Sequence, residues 1–193
     1  MKTTLSILTI AAIFAFSSCE KQMIEGDLQE SPASSKSKEE SAMLKSHHGD
    51  SMNKGQKVMN FRTHLSGDNE VPSVETDATG QAIFQLSKDG MKLHYKLNVA
   101  NIKNVNMAHI HLAPAGENGP PVVWLYPSSG SPQLIWGRTQ GTLEEGVITK
   151  DDLFGQLEGQ NLWDLVELIK AGETYVNVHT EQHPAGEIRG QIK

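Results

Sequence analysis

The sequence of 193 residues contains a single cysteine, Cys19. A disulfide framework and a cysteine-based metal site are therefore excluded from everything that follows it, and stability has to come from an apolar core. No apolar run reaches the ~20 residues needed to span a bilayer as a helix; the one apolar stretch near the start, Leu5 to Phe16, falls short. Basic residues are outnumbered, 17 Lys and Arg against 23 Asp and Glu for a net charge of −6, and no basic stripe appears. Nucleic acid is accordingly not an expected partner. Gly-x-Ser-x-Gly, a P-loop and a Gly-x-Gly-x-x-Gly turn are all missing, so hydrolase and nucleotide-dependent readings find no support.

What is present begins with an export signal. Lys2 supplies a positive start, Leu5 to Phe16 the apolar segment, and Ser17-Ser18-Cys19 the small residues of a cleavage site. Ser17-Ser18-Cys19 resembles the lipobox of bacterial lipoproteins, although Phe16 replaces the usual Leu. The resemblance implies a signal peptide over 1–18, acylation of Cys19 and a lipid anchor that makes the membrane a partner. Residues 19–57 are rich in Ser, Lys, Glu and Gln without a sustained period, and read as a flexible tether that includes His47-His48. The expected location is the bacterial cell envelope, periplasmic or at the surface.

Residues 58–193 suit one domain with one core. Phe61, Thr63 and Leu65 alternate with polar residues until Gly67-Asp68; Ala82, Phe84 and Leu86 alternate up to Lys88-Asp89-Gly90; and Met91, Leu93, Tyr95, Leu97 and Val99 alternate after it. An Asp-Gly between two alternating runs signals a hairpin, because that turn takes positive φ. Further strands are expected at 106–112, 121–126, 133–142, 173–180 and 186–192. Thr149 to Asp152 resembles a helix start, and Leu162, Leu165, Val166 and Ile169 follow a helical period that ends at Gly172. The expected class is all-β, an antiparallel Greek-key β-sandwich or barrel with a short helical excursion near 150–171. Trp124, Tyr126 and Trp136 are expected to complete its core.

Chemistry concentrates on two strands. His109 and His111 lie on one face of their strand, with Ala108 and Ile110 on the other; His179 shares a face with Asn177 and Tyr175, opposite Val176 and Val178. Two readings follow. Imidazole nitrogens suit copper and zinc, so His109, His111 and His179, with His183 as a possible fourth, are candidate metal ligands. Alternatively the same rings hydrogen-bond loops on the polar side of the sheet, His109 with Glu181 or Glu187. His64 and His94, flanked by charged and polar residues, are expected on solvated faces.

The motifs Ala108-His109-Ile110-His111, Gly119-Pro120-Pro121-Val122-Val123, Gly141-Thr142-Leu143, Tyr175-Val176-Asn177-Val178-His179-Thr180 and His183-Pro184-Ala185-Gly186-Glu187-Ile188-Arg189-Gly190 resemble the CHRD, or chordin-type, domain family, which includes bacterial exported proteins. The likeness covers about 61–193. The family likeness gives the fold more than the function; the expected function is a non-catalytic binding or interaction module outside the cytoplasm, with an envelope or extracellular protein as its partner. A weaker similarity is to the copper/zinc superoxide dismutase β-barrel, carried by the His-x-His strand, Val178-His179 and the Ala-Gly-Glu-Ile-Arg run; it implies a copper or zinc site in which Arg189 would steer the anion. The disulfide cysteines and the zinc subloop of that family have no counterpart here.

Overall fold

A computed structural model describes residues 59–193. The expected signal peptide over 1–18, Cys19, the tether over 19–57 and His47-His48 lie outside the described residues.

The described residues form seven strands and one α-helix: β1 (Asn60–Ser66), β2 (Thr79–Leu86), β3 (Leu93–Leu112), β4 (Pro121–Tyr126), β5 (Ile135–Ile148), α1 (Leu162–Ala171), β6 (Thr174–Thr180) and β7 (Ile188–Gln191). All pairings are antiparallel. β3 pairs with β2, β2 with β1, β1 with β7, β7 with β6, and β6 returns to β3, which closes a five-stranded barrel. β4 and β5 both attach to β3 outside that ring. The return of β6 to lie beside β3 after this detour is the closing step of a Greek key, although β5 pairs with β3 and not with β4.

Closure depends on the length and bending of β3. The sequence suggests separate strands at 91–99 and 106–112, whereas the structure fuses them into one of 20 residues. The join carries Asn101 at φ 58° and Asn104 at φ 53°, in the left-handed region that asparagine tolerates better than most residues. Pairing with β5 shifts register between Val99 and Ile102 and again between Lys103 and Val105; pairing with β6 shifts between Val105 and Met107. An odd shift exchanges the two faces of a strand. The buried apolar series accordingly changes parity, from Leu93, Tyr95, Leu97 and Val99 to Ala108 and Ile110. His109 and His111 thereby face away from the barrel interior.

The interior is filled by Phe61 and Leu65 of β1, Ala82, Phe84 and Leu86 of β2, the apolar face of β3, and Val176, Val178 and Ile188. Leu162, Leu165, Val166 and Ile169 of α1 join the same cluster. The carboxylate of Asp164 accepts the Asn161 N–H at the helix start, and Gly172 at φ 77° ends it. Thr149 does cap a turn, but a short 3-10 one at Lys150–Asp152, and the α-helix begins only at Leu162. Two further expectations are corrected. Met91, in the turn before β3, is 61% exposed, and Trp136, expected in the core, is 76% exposed because β5 runs along the outer edge of β3.

Candidate metal centre

Pairing between β3 and β6 sets the site. His109 lies opposite Asn177, His111 opposite Tyr175, and Met107 opposite His179. His179 is thus the diagonal neighbour of His109, and His111 is two residues further along the same face. On the next strand Arg189 lies opposite Asn177 and Gln191 opposite Tyr175. These residues form a polar layer on the outside of the barrel wall, yet His109, His111 and His179 are only 4%, 7% and 5% exposed. Surface loops roof them over. The loop after β3 supplies the Gly119 carbonyl and the loop after β6 supplies the Pro184 carbonyl.

Those two carbonyls fix the tautomers. Nδ1–H of His111 donates to Gly119 O at 2.9 Å, and Nδ1–H of His179 donates to Pro184 O at 3.0 Å. A carbonyl can only accept, so Nδ1 carries the proton in each ring and Nε2 keeps its lone pair. Nδ1 of His109 lies 3.3 Å from Nε2 of His179. One nitrogen from each of the three rings lies within 4.8 Å of the others. A metal with bonds of 2.0–2.1 Å holds tetrahedral nitrogens roughly 3.3–3.4 Å apart, so the His109 and His179 pair already has that spacing. Nε2 of His111 is buried and has no hydrogen-bond partner among protein atoms.

Electrostatics keep the cluster neutral. Burial, reinforced by His179 and His111, pushes the His109 imidazole down to about 3. Burial likewise takes His111 down to about 4; the Gly119 hydrogen bond opposes the shift, while His179 and Arg189 add to it. His179 is lowered by burial against the opposing bond to Pro184. Near neutral pH all three rings are therefore neutral, the charge state a metal requires, and a metal at the 3.3 Å pair would need His109 to carry its proton on Nε2 and not on Nδ1. Aromatic walls hold them. The His109 ring meets Trp124 edge-on at 4.2 Å, and His111 stacks on Tyr175 at 4.9 Å and 15°.

Arg189 lies on the far side of Tyr175, its guanidinium carbon 3.4 Å from the ring centroid. The dismutase resemblance would have it face solvent and draw an anion inward. Instead it is 1% exposed, and it donates to Asn118 Oδ1, Pro114 O and Glu117 O. Those bonds tie the 113–120 loop over the histidines. His183 does not join the group of three; it lines a separate cleft with Thr76, Asp77, Lys103 and Glu187. Glu187, a candidate partner for His109, accepts instead from the Thr76 and Thr180 hydroxyls. His64 and His94 are exposed, as their neighbours suggest.

Glu70 carries no sequence signal of its own and belongs to this layer. Its side chain accepts from Asn177 Nδ2 at 3.3 Å, and burial pushes its carboxyl up to about 7 against the opposing pull of Arg189 and Asn177. Gly119 could be quoted as part of a motif, but its task is visible only here. A Cβ on Gly119 would fall onto the Leu112 carbonyl, so only glycine lets the loop come close enough for His111.

Residues 61–192 match the family model described as CHRD domain, and the chain belongs to that family. No curated protein and no solved structure matches the chain.

Proposed function

We propose that the CHRD domain of this chain is a non-catalytic metal-binding module, holding one copper or zinc ion through His109, His111 and His179. The observation that carries the reading is Nε2 of His111: a buried acceptor with no protein partner, its ring locked by Gly119 so that the lone pair is fixed. Leaving a buried polar group unpaired costs about 1–3 kcal/mol, and a bound cation would remove that cost. A purely structural hydrogen-bond cluster explains the His109 and His179 contact but leaves this atom unsatisfied. The two backbone carbonyls act as the outer shell that orients metal-binding imidazoles.

Three neutral nitrogens suit copper and zinc among the common ions. When bound, the ion would cross-link β3 and β6 under the loop roof. A superoxide-handling variant is less well supported, since the cationic residue assigned to steering is buried and bonded to the loop. The amino-terminal signal and Cys19 favour a lipid-anchored protein of the cell envelope that presents this module outside the cytoplasm.

Titration of the full chain with copper and zinc tests the proposal, with a His109→Ala, His111→Ala double variant as control. One equivalent bound by the natural chain and none by a folded double variant is the expected result; equal binding by both would overturn it. For the anchor, Cys19→Ser is expected to release the protein from membranes, and unchanged membrane retention would refute acylation at that residue.

A further inference from the structure

We infer that the three-histidine site selects the reduced, singly charged copper ion, Cu(I), over the divalent ions Cu(II) and Zn(II). The inference rests on the metal reading above and adds the charge state of the ion.

Charge is the first argument. The group of candidate ligands among the described residues contains three imidazoles and neither carboxylate nor thiolate. Every donor is neutral, so the full charge of the ion stays in the site. The rings are 4–7% exposed, and burying a charge that its ligands do not offset is costly in proportion to more than the charge itself. A single positive charge is the cheaper one to bury.

Arg189 sharpens the difference. Its guanidinium stacks on Tyr175, which stacks on His111, so a fixed cation lies one aromatic ring behind a ligand. Its hydrogen-bond acceptors are a side-chain amide oxygen and two backbone carbonyls, all neutral, and Glu70, the buried carboxyl on which it pulls, is pushed up to about 7 and so offsets the guanidinium only above that pH. At an effective dielectric near 20, a cation at this range disfavours each further unit of charge by roughly tenfold in affinity.

Coordination number is the second argument. Zn(II) favours four ligands in a tetrahedron and Cu(II) a tetragonal set, whereas Cu(I) is content with three. A fourth ligand from solvent needs a route to the ion. Four clefts on the described surface are lined by other residues: strand edges of β1 to β3, the rim around Glu70 and Arg189, the His183 cleft, and the rim between Trp124 and Gly146. Trp124 and Tyr175 cover two of the three imidazoles directly.

The test is a set of equilibrium competitions on the full chain, Cu(I) under anaerobic reducing conditions, Cu(II) and Zn(II) separately, each against a chromophoric chelator. The expected outcome is one equivalent of Cu(I) with a Kd at least about tenfold below those for Cu(II) and Zn(II). Divalent binding as tight as Cu(I) binding would overturn the selectivity while leaving the metal site standing. Failure of all three ions to bind would overturn the site itself. Arg189→Lys should keep the preference, and Arg189→Gln, checked for folding by circular dichroism, should narrow the gap between Cu(I) and Zn(II) by roughly tenfold. An unchanged gap in a folded Gln variant would remove Arg189 from the explanation.

Discussion

The two halves of β3 obey the same alternation and reach opposite outcomes. In the first half Leu93, Tyr95, Leu97 and Val99 fill the core, while His94 opposite them is exposed and Lys96 reaches an exposed Glu145 at 3.1 Å. In the second half Ala108 and Ile110 fill the core, while His109 and His111 opposite them are buried. The outward face of a barrel strand is therefore not a solvent face by default. What differs is the cover: the first half has only β5 and β2 at its edges, and the second has loops tied down by Arg189 and by carbonyl bonds to the rings. One histidine face becomes ordinary surface and the other a desolvated donor cluster.

The contrast is broken most directly by deleting a ligand. His179→Ala should weaken copper or zinc binding by more than about 100-fold, beyond the range of outer-shell changes, whereas His94→Ala on the exposed half should leave it within about twofold; isothermal titration of both variants checks this. Deleting an inward-facing neighbour should do the reverse. Ile110→Ala creates a cavity in the core and should cost about 2–5 kcal/mol in urea unfolding, yet leave metal affinity of the folded protein nearly unchanged, since the ligands lie across the strand. A fall in affinity comparable to that of His179→Ala would show that the two faces are not independent.

The roof can be tested separately from the rings. Gly119→Ala keeps every imidazole but forces the loop off the Leu112 carbonyl, so the Nδ1 anchor of His111 shifts. Metal affinity should drop ten- to 100-fold, as for other outer-shell changes, with the copper or zinc stoichiometry retained.

A pH series on the metal-free protein sharpens the comparison further. His109 and His111 stay neutral in the fold down to about 3 and 4, while in the unfolded chain they take up protons near the ordinary value of about 6.5. The unfolded state therefore binds more protons in that interval, and the contribution to stability is complete above pH ~6.5 and lost as the pH falls toward 4. Glu70 works in the opposite sense between its ordinary carboxyl range and about 7, because its folded form holds the proton longer. Urea midpoints should fall between pH 7 and pH 5, and fall more steeply in Glu70→Gln. His109→Gln with His111→Gln should flatten the slope.

Much of this was legible from residues alone. Alternation identified β1, β2 and β6 and the inward set Phe61, Leu65, Phe84, Leu97, Val176 and Val178; the helical period identified the buried face of α1; and Gly90, at φ 72°, takes the turn conformation expected of it. The His-x-His pattern and the Val178-His179 strand named three residues that do converge. The misses have physical causes. His183 follows His179 by four residues but lines another cleft, because the 180–187 turn carries it away. Trp136 reads as core by type and is surface by position, since an edge strand has an outer side. Glu70 and the Gly119 and Pro184 carbonyls were invisible because a backbone acceptor has no letter in a sequence, and a lone loop carboxylate has no period.

The sequence by itself determined which residues alternate, and with them the class of fold, the two histidine-bearing strands and the absence of any cysteine after Cys19 to compete with imidazole. The tertiary structure alone decided that those histidines lie side by side, dry and neutral. Local periodicity fixes the direction of a side chain relative to its own strand. Its neighbours across the sheet, the parity changes at Asn101 and Asn104, and the loops that exclude water depend on residues far apart in the chain, 70 positions between His109 and His179 and 107 between Glu70 and Asn177.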